Sequence, residues 1–503
     1  MQLTRSTLAL SLATSLAALS LPGCGSNPGP EPATAPPASS APPLFPSSSA
    51  DAGAPAAQSA PIQTPELWEG KLMVGAGMQL RLVLHVTRGD DGALHGTLDS
   101  PDQSASGIPT DSVTRDAQTL GFTVAAIGAS YSGKVNEAGT EVAGEFKQQG
   151  ASLPLTLTKV AKVTEVARPQ TPKPPFPYRS EDVTYKNPAG AGVTLAGTLT
   201  LPQGDGPFPA AILLTGSGAQ DRDETLFGHK PFLVLADDLT RKGIAVLRVD
   251  DRGVGGSTGS VDTSTTEDFA ADALAGIAYL KGRKEIDRAH IGLIGHSEGG
   301  LVAPLAATKS KDVAFIVLLA GPGLPGHEIL LLQSTALATT LGMPEDEVKK
   351  ANAVNKRLYD ALLAAHDAKD AETKLRAIFK EEEASHGAQG GQNQEDAMVK
   401  ELTSPWFLYF VKYDPRPILA KVKVPLLAID GEKDLQVPPK ENLAAIKKAD
   451  PRATTTELPG LNHLFQTAKT GLPNEYGTLE ETMSPAALSA ISDFVLAHTK
   501  GKK

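Results

Sequence analysis

Two pentapeptides in this chain place a serine between glycines, Gly295-His296-Ser297-Glu298-Gly299 and Gly255-Gly256-Ser257-Thr258-Gly259. This spacing suits a nucleophilic serine on a sharp strand-to-helix turn. Side chains at the two glycine positions would clash, and the turn holds the serine in a strained conformation that exposes its hydroxyl. Context separates the two. Ser297 directly follows the apolar run Ile291-Gly292-Leu293-Ile294 and precedes an apolar helix. Ser257 lies several residues past its strand, in the loop that opens with Asp250-Asp251-Arg252-Gly253. Ser297 is the candidate nucleophile and Ser257 a loop residue.

A serine hydroxyl at its free pKa needs a base, and the base needs an acid to orient it. Behind such a turn the acid and then the base follow along the chain, on loops at strand C-termini. Asp434 stands just after the strand ending Ile429-Asp430, in Gly431-Glu432-Lys433-Asp434, and His463 just after the next strand, in Pro459-Gly460-Leu461-Asn462-His463. Asp430 and Glu432 are alternative acids, less favoured because they sit nearer the strand end. His290 precedes its strand, His498 is at the C-terminus, and His85, His95, His327, His366 and His386 fall in other parts of the chain. An oxyanion formed on the substrate needs two backbone donors. One is expected from the N–H of Glu298, the other from Thr215-Gly216-Ser217-Gly218, with Ser217 as the donor. Asp221, Arg222, Asp223 and His229 follow closely; they are candidates either to contact substrate or to hold that loop, and the second is the expectation.

These residues need a sheet to place them. From Tyr178 onward apolar strands alternate with amphipathic helices. Strands are predicted over Val193–Leu201, Pro209–Leu214, Ile244–Val249, Ile291–Ile294, Val313–Leu319, Val424–Ile429 and Thr454–Leu458, and helices over Pro439–Lys448 and Pro485–Ala497. Continuous apolar runs such as Pro209–Leu214 mark strands buried on both faces, so the pattern predicts an α/β fold with a mostly parallel sheet between helices. One interruption, residues 322–416, is too long for a loop and is expected to form a helical cap over the strand ends. Within it Ser404-Pro405 and Asp414-Pro415 bracket Trp406-Phe407-Leu408-Tyr409-Phe410 and are expected to break any helix there. Trp406 and Phe407 are expected to wall an acyl pocket.

Upstream the texture differs. Residues 64–162 carry period-two runs such as Leu80-Arg81-Leu82-Val83-Leu84 broken by Gly/Asp turns, which predict a small antiparallel all-β domain. A Pro-rich linker, 163–177, separates it from the catalytic part, 178–503. Residues 25–63 are almost entirely Pro, Ala, Ser and Gly and read as a disordered tether. Residues 1–24 read as a signal peptide, with Arg5 ahead of the apolar stretch Leu8–Leu21. The formal charge of −10 speaks against nucleic-acid partners, which select for a basic face. No stretch after the leader approaches the ~20 apolar residues of a membrane span.

Leu21-Pro22-Gly23-Cys24 resembles the lipobox of bacterial lipoproteins, which implies acylation of Cys24, the only cysteine, and a lipid anchor in a bacterial cell envelope. Pro22 departs from the small residue usual at its place. The chain from Ala210 onward resembles the α/β-hydrolase superfamily, and within it the bacterial serine-aminopeptidase-like and esterase-like group. The motifs that carry this are Leu214-Thr215-Gly216-Ser217-Gly218, Asp250-Asp251-Arg252-Gly253-Val254-Gly255, Gly295-His296-Ser297-Glu298-Gly299-Gly300, Gly431-Glu432-Lys433-Asp434 and Asn462-His463. The resemblance implies a Ser-Asp-His triad, no cofactor or metal, and cleavage of small-molecule esters or related acyl bonds. Thr215-Gly216 stands where many relatives carry His-Gly. The leading expectation is an exported carboxylesterase. Its alternatives are an aminopeptidase or amidase, for which Glu381-Glu382-Glu383 would have to bind a substrate amine, a thioesterase, or a non-catalytic surface binding protein.

Overall fold

The computed structural model describes residues 65–499, apart from residues 76–77, 90–91, 102–104, 149–150, 164–165, 191 and 387–391. Cys24, the leader and the tether lie outside the described residues. No described helix is long and apolar enough to cross a membrane.

The first part is a single antiparallel sheet. Its strands are β1 (Glu66–Gly75), β2 (Met78–Arg88), β3 (Leu94–Ser100), β4 (Ala105–Pro109), β5 (Ser112–Arg115), β6 (Thr119–Val124), β7 (Ala129–Val135), β8 (Glu141–Gln148) and β9 (Ala151–Val160). They run in the order β4-β3-β2-β1-β9-β8-β7-β6-β5, so the first and last strands pair at the centre. Alternate residues point inward, and Trp68, Leu84, Leu98, Leu120, Phe122, Tyr131, Phe146 and Leu157 form the core of the unit.

The second part is a sheet covered on both faces. Its strands are β10 (Arg179–Lys186), β11 (Thr194–Leu201), β12 (Phe208–Leu214), β13 (Ala245–Val249), β14 (Ile286–His296), β15 (Ile316–Leu319), β16 (Leu426–Gly431) and β17 (Thr454–Leu458). The order is β10-β11-β13-β12-β14-β15-β16-β17; β10, β11 and β13 pair antiparallel and the remainder parallel. Successive residues serve opposite faces. Ile212, Leu247, Leu293 and Leu318 pack with α2 (Thr266–Lys281), α3 (Gly299–Lys309) and α10 (Pro439–Ala449), whereas Leu213, Val246, Ile294 and Val317 pack with α1 (Pro231–Arg241) and α11 (Pro485–Thr499). Burial on both sides is why these strands read as unbroken apolar runs. β10 escaped the sequence reading because Arg179-Ser180-Glu181-Asp182 at an edge carries no apolar run.

Register sets which strand ends lie level. Leu214 lies level with Gly295, His296 with Leu319, Leu319 with Ile429, and Gly431 with Leu458. The loops that follow these strands therefore leave the sheet side by side. Between β15 and β16 come the cap helices α4 (Gly326–Thr340), α5 (Glu345–Leu363), α6 (Ala368–His386), α7 (Gln392–Leu402) and α8 (Pro405–Lys412), then the short α9 (Arg416–Leu419). The aromatic run is helical after all. Pro405 occupies the first turn of α8, where the missing N–H costs nothing, and the Ser404 hydroxyl caps it by accepting from the Phe407 N–H at 3.2 Å. Ser-Pro here starts a helix instead of breaking one.

Candidate functional site

Ser297 sits between β14 and α3 with φ +50°, a left-handed conformation costly for a non-glycine residue. Local sterics dictate its neighbours. A Cβ on Gly295 would strike the Gly299 carbonyl, one on Gly299 the Leu214 carbonyl, and one on Gly300 the backbone of Gly321. The Ser297 N–H is tied to the Leu319 carbonyl at 2.9 Å, and the residues on either side are buried while Ser297 itself stays partly exposed. Ser257, the other candidate, is buried: its hydroxyl donates to the Asp250 carbonyl at 2.8 Å and accepts from the Ala196 N–H at 2.9 Å. That serine stitches a loop to β11.

Asp434 and His463 come together from the loops after β16 and β17. His463 Nδ1 lies 2.6 Å from Asp434 Oδ2, and the other carboxylate oxygen accepts the N–H groups of Gln436 and Val437, each at 2.8 Å. Both side chains are buried. The alternative acids are placed otherwise. Burial, then the charge of Asp434 and a hydrogen bond to its side chain, push the Asp430 carboxyl well above the carboxylate range. Glu432 is exposed and accepts the Gly460 N–H at 2.7 Å.

Loop 215–218 lies against the serine, since a Cβ on Gly216 would be 3.3 Å from Ser297 Cβ. Asp251 staples both of its ends, accepting the Thr215 hydroxyl at 2.7 Å and the Gln220 N–H at 2.9 Å. The Gly216 N–H is already engaged by Glu224 Oε1 at 2.7 Å. Arg222 grips Asp250 through two contacts of 3.0 and 2.7 Å, and Asp223 pairs with Lys230 and Arg248. His229 is buried on the Thr482 hydroxyl and the Tyr476 carbonyl, and burial holds its pKa down to about 4. The side chains that bond loop 215–218 are thus Asp251 and Glu224, while Arg222 and Asp223 pair with neighbouring charges and His229 ties its own segment to Tyr476 and Thr482.

Glu298 was expected to contribute its backbone N–H; the role of its side chain was not foreseen, nor were two further participants. Glu298 projects its side chain into the interior, where Oε1 accepts the Thr266 hydroxyl at 2.6 Å and Oε2 the Trp406 indole N–H at 2.8 Å. Burial raises its carboxyl pKa. Trp406, stacked on Phe410 at 5.3 Å, thus joins the cap to the residue after the candidate nucleophile. Phe407 is 1% exposed and packs in the cap core with Leu301, Leu330, Leu358 and Phe410. The other two are His296 and Glu224, a buried pair 2.9 Å apart. The sequence offers only their nearness to motif residues as a signal. Glu381 and Glu382 both pair with Arg357 within the cap. Among the described residues no group of three or more His, Cys, Asp or Glu is arranged to hold a metal.

A mostly parallel sheet covered on both faces, with a serine on a strained strand-to-helix elbow, is the arrangement that a resemblance to α/β-hydrolases implies. Residues 230–467 match the family described as Serine aminopeptidase, S33. Esterase EstD of Thermotoga maritima is 28% identical over 293 residues, 58% of this chain and 61% of that esterase, so less than two thirds of the relative's own length is spanned. Among solved structures, the esterase Pf2001 of Pyrococcus furiosus is similar over 64% of this chain and 94% of its own, at 17% identity and a TM-score of 0.38. Est1E from Butyrivibrio proteoclasticus is similar over 63% of this chain and 98% of its own, at 17% identity and a TM-score of 0.37.

Proposed function

We propose that this chain is a serine hydrolase that cleaves small-molecule carboxylic esters through an acyl-enzyme on Ser297. The observation that carries the reading is the strained Ser297 elbow beside a buried His463–Asp434 pair. In that reading Asp434 fixes the Nδ1–H tautomer of His463, whose Nε2 takes the serine proton as the hydroxyl attacks the ester carbonyl. The same proton then passes to the leaving alcohol, and water repeats the cycle to release the acid. The N–H groups of Glu298 and Ser217 receive the oxyanion. In this reading Trp406, whose indole N–H meets Glu298 where cap and elbow join, borders the acyl group. The family description keeps an aminopeptidase or amidase activity as the second reading. Arg357 beside Glu381 and Glu382 weakens it, because the acidic run is partly neutralised from within. A lipid anchor at Cys24 and a tether would hold the enzyme at a bacterial membrane.

The test is labelling with a fluorophosphonate, followed by turnover of a panel of esters, thioesters and aminoacyl amides. Wild type and Ser257→Ala should label and turn over esters. Ser297→Ala should do neither, with a loss of several orders of magnitude in kcat. Labelling that survives in Ser297→Ala would overturn the assignment, and turnover of amides alone would favour the second reading.

A further inference from the structure

The candidate groups come from four separate segments: loop 215–218 after β12, the elbow after β14, and the loops after β16 and β17. One buried pair touches the first, second and last of these. Glu224 Oε1 accepts the Gly216 N–H at 2.7 Å and lies 2.9 Å from His296 Nδ1. The other ring nitrogen of His296 reaches the backbone carbonyl of His463 at 3.0 Å. Glu224 is 3% and His296 6% exposed, so water does not compete for these contacts. The rings of His296 and His463 lie 4.8 Å apart.

Two features mark the arrangement as built. Glu224 has φ +51°, a strained conformation that persists only where the surroundings over-determine it. Asp221 supplies that: its Oδ1 accepts the N–H groups of Asp223 and Thr225 at 3.0 and 2.9 Å, and its carbonyl accepts that of Glu224 at 2.9 Å. The second feature is donor bookkeeping. A carbonyl oxygen can only accept, and a carboxylate can only accept. An imidazole between them satisfies both when both its nitrogens carry protons. His296 is then a cation facing the Glu224 carboxylate, with the charge of Asp434 further off and the His463 ring as its other titratable neighbour.

We propose that Glu224 and His296 are positioning residues that lock the oxyanion loop, the nucleophile elbow and the base loop into one unit. This rests on the serine-hydrolase reading. By engaging the Gly216 N–H, Glu224 fixes the loop so that the next amide, that of Ser217, is the donor left for the oxyanion. By holding the His463 carbonyl, His296 fixes the base's loop against the residue that precedes the nucleophile. Neither touches substrate. Their effect falls on alignment in the transition state, so it belongs in kcat and not in KM.

The experiment compares wild type with Glu224→Ala and Glu224→Gln. Glu224→Gln keeps an oxygen for the Gly216 N–H but removes the charge opposite His296. Glu224→Ala should lower kcat by about 10- to 100-fold with KM changed little, and weaken a trifluoromethyl ketone inhibitor in proportion, because misplacing one oxyanion donor acts only on the transition state. Glu224→Gln should recover part of that loss. Side-chain ¹H–¹⁵N NMR at neutral pH should find both nitrogens of His296 protonated in wild type and not in Glu224→Gln. Unchanged kcat in both variants of a chain that labels at Ser297 would overturn the positioning role and leave the hydrolase reading standing. A singly protonated His296 in wild type would overturn the ion pair whatever the activity. A wild-type chain that neither labels nor turns over would overturn the hydrolase reading, and the positioning role with it.

Discussion

Removing one hydrogen bond between the cap and the elbow should be felt at the elbow. Trp406→Phe deletes the indole N–H that donates to Glu298 Oε2 at 2.8 Å, while the ring can keep its stack on Phe410. Glu298 is 3% exposed and has one other side-chain donor, the Thr266 hydroxyl at 2.6 Å. Losing a hydrogen bond to a buried charged group costs about 1.5–3 kcal/mol. For a unit of this size that corresponds to a fall in melting temperature of roughly 2–5 °C at neutral pH. Glu298→Gln removes the charge, and in that background Trp406→Phe should cost under ~1 kcal/mol, so the coupling in the double-mutant cycle should exceed ~0.5 kcal/mol. The pH dependence follows from the raised pKa of Glu298. Trp406→Phe raises it further, so the wild-type advantage is full above the variant's folded pKa and disappears as pH falls through the wild-type value. Thermal melts of the four proteins across pH, with kcat/KM over a series of ester chain lengths, measure all of this. Additive melting shifts, with the whole effect appearing as altered chain-length preference, would refute the latch and leave Trp406 as pocket wall only.

The remaining predictions concern the acid, the buried pair and the anchor. Asp434→Asn should lower kcat by about 10⁴, because the amide favours the wrong imidazole tautomer, whereas Asp430→Asn should leave most of the activity; the reverse ranking in steady-state assays would reassign the acid. Burial pulls the His296 imidazole down, but the charge and hydrogen bond of Glu224, then the His463 carbonyl and the Asp434 charge, outweigh it and raise its pKa. Its stabilisation is therefore full below the free value of about 6.5 and lost as pH rises through the folded value. The melting gap between wild type and Glu224→Gln should accordingly narrow in alkali; a gap that widens would contradict the ion pair. Cys24→Ser should move the protein from the detergent-extracted membrane fraction to the soluble one, and unchanged fractionation would argue for a plain cleaved leader.

What the sequence determined is whatever short-range sterics and periodicity encode. Gly295, Gly299 and Gly300 are legible because the elbow that exposes Ser297 leaves no room for a Cβ at any of them. Period-two runs announced the β unit, unbroken apolar runs the doubly covered sheet, and the length of the interruption between β15 and β16 that it carries helices of its own. Order along the chain was enough to single out Asp434 and His463, which the folded chain brings to 2.6 Å of each other. Other features needed the tertiary structure. Ser404-Pro405 reads equally well as a breaker or a helix start, and the packing of α8 in the cap chose the second. Glu224 and His296 meet across 72 residues and Trp406 and Glu298 across 108, with no repeating pattern that names a partner. A buried polar side chain must find a counterpart, but which one depends on the loops that strand register sets side by side. Sequence alone could list these residues near the site; only the folded sheet edge decided that they join its loops together.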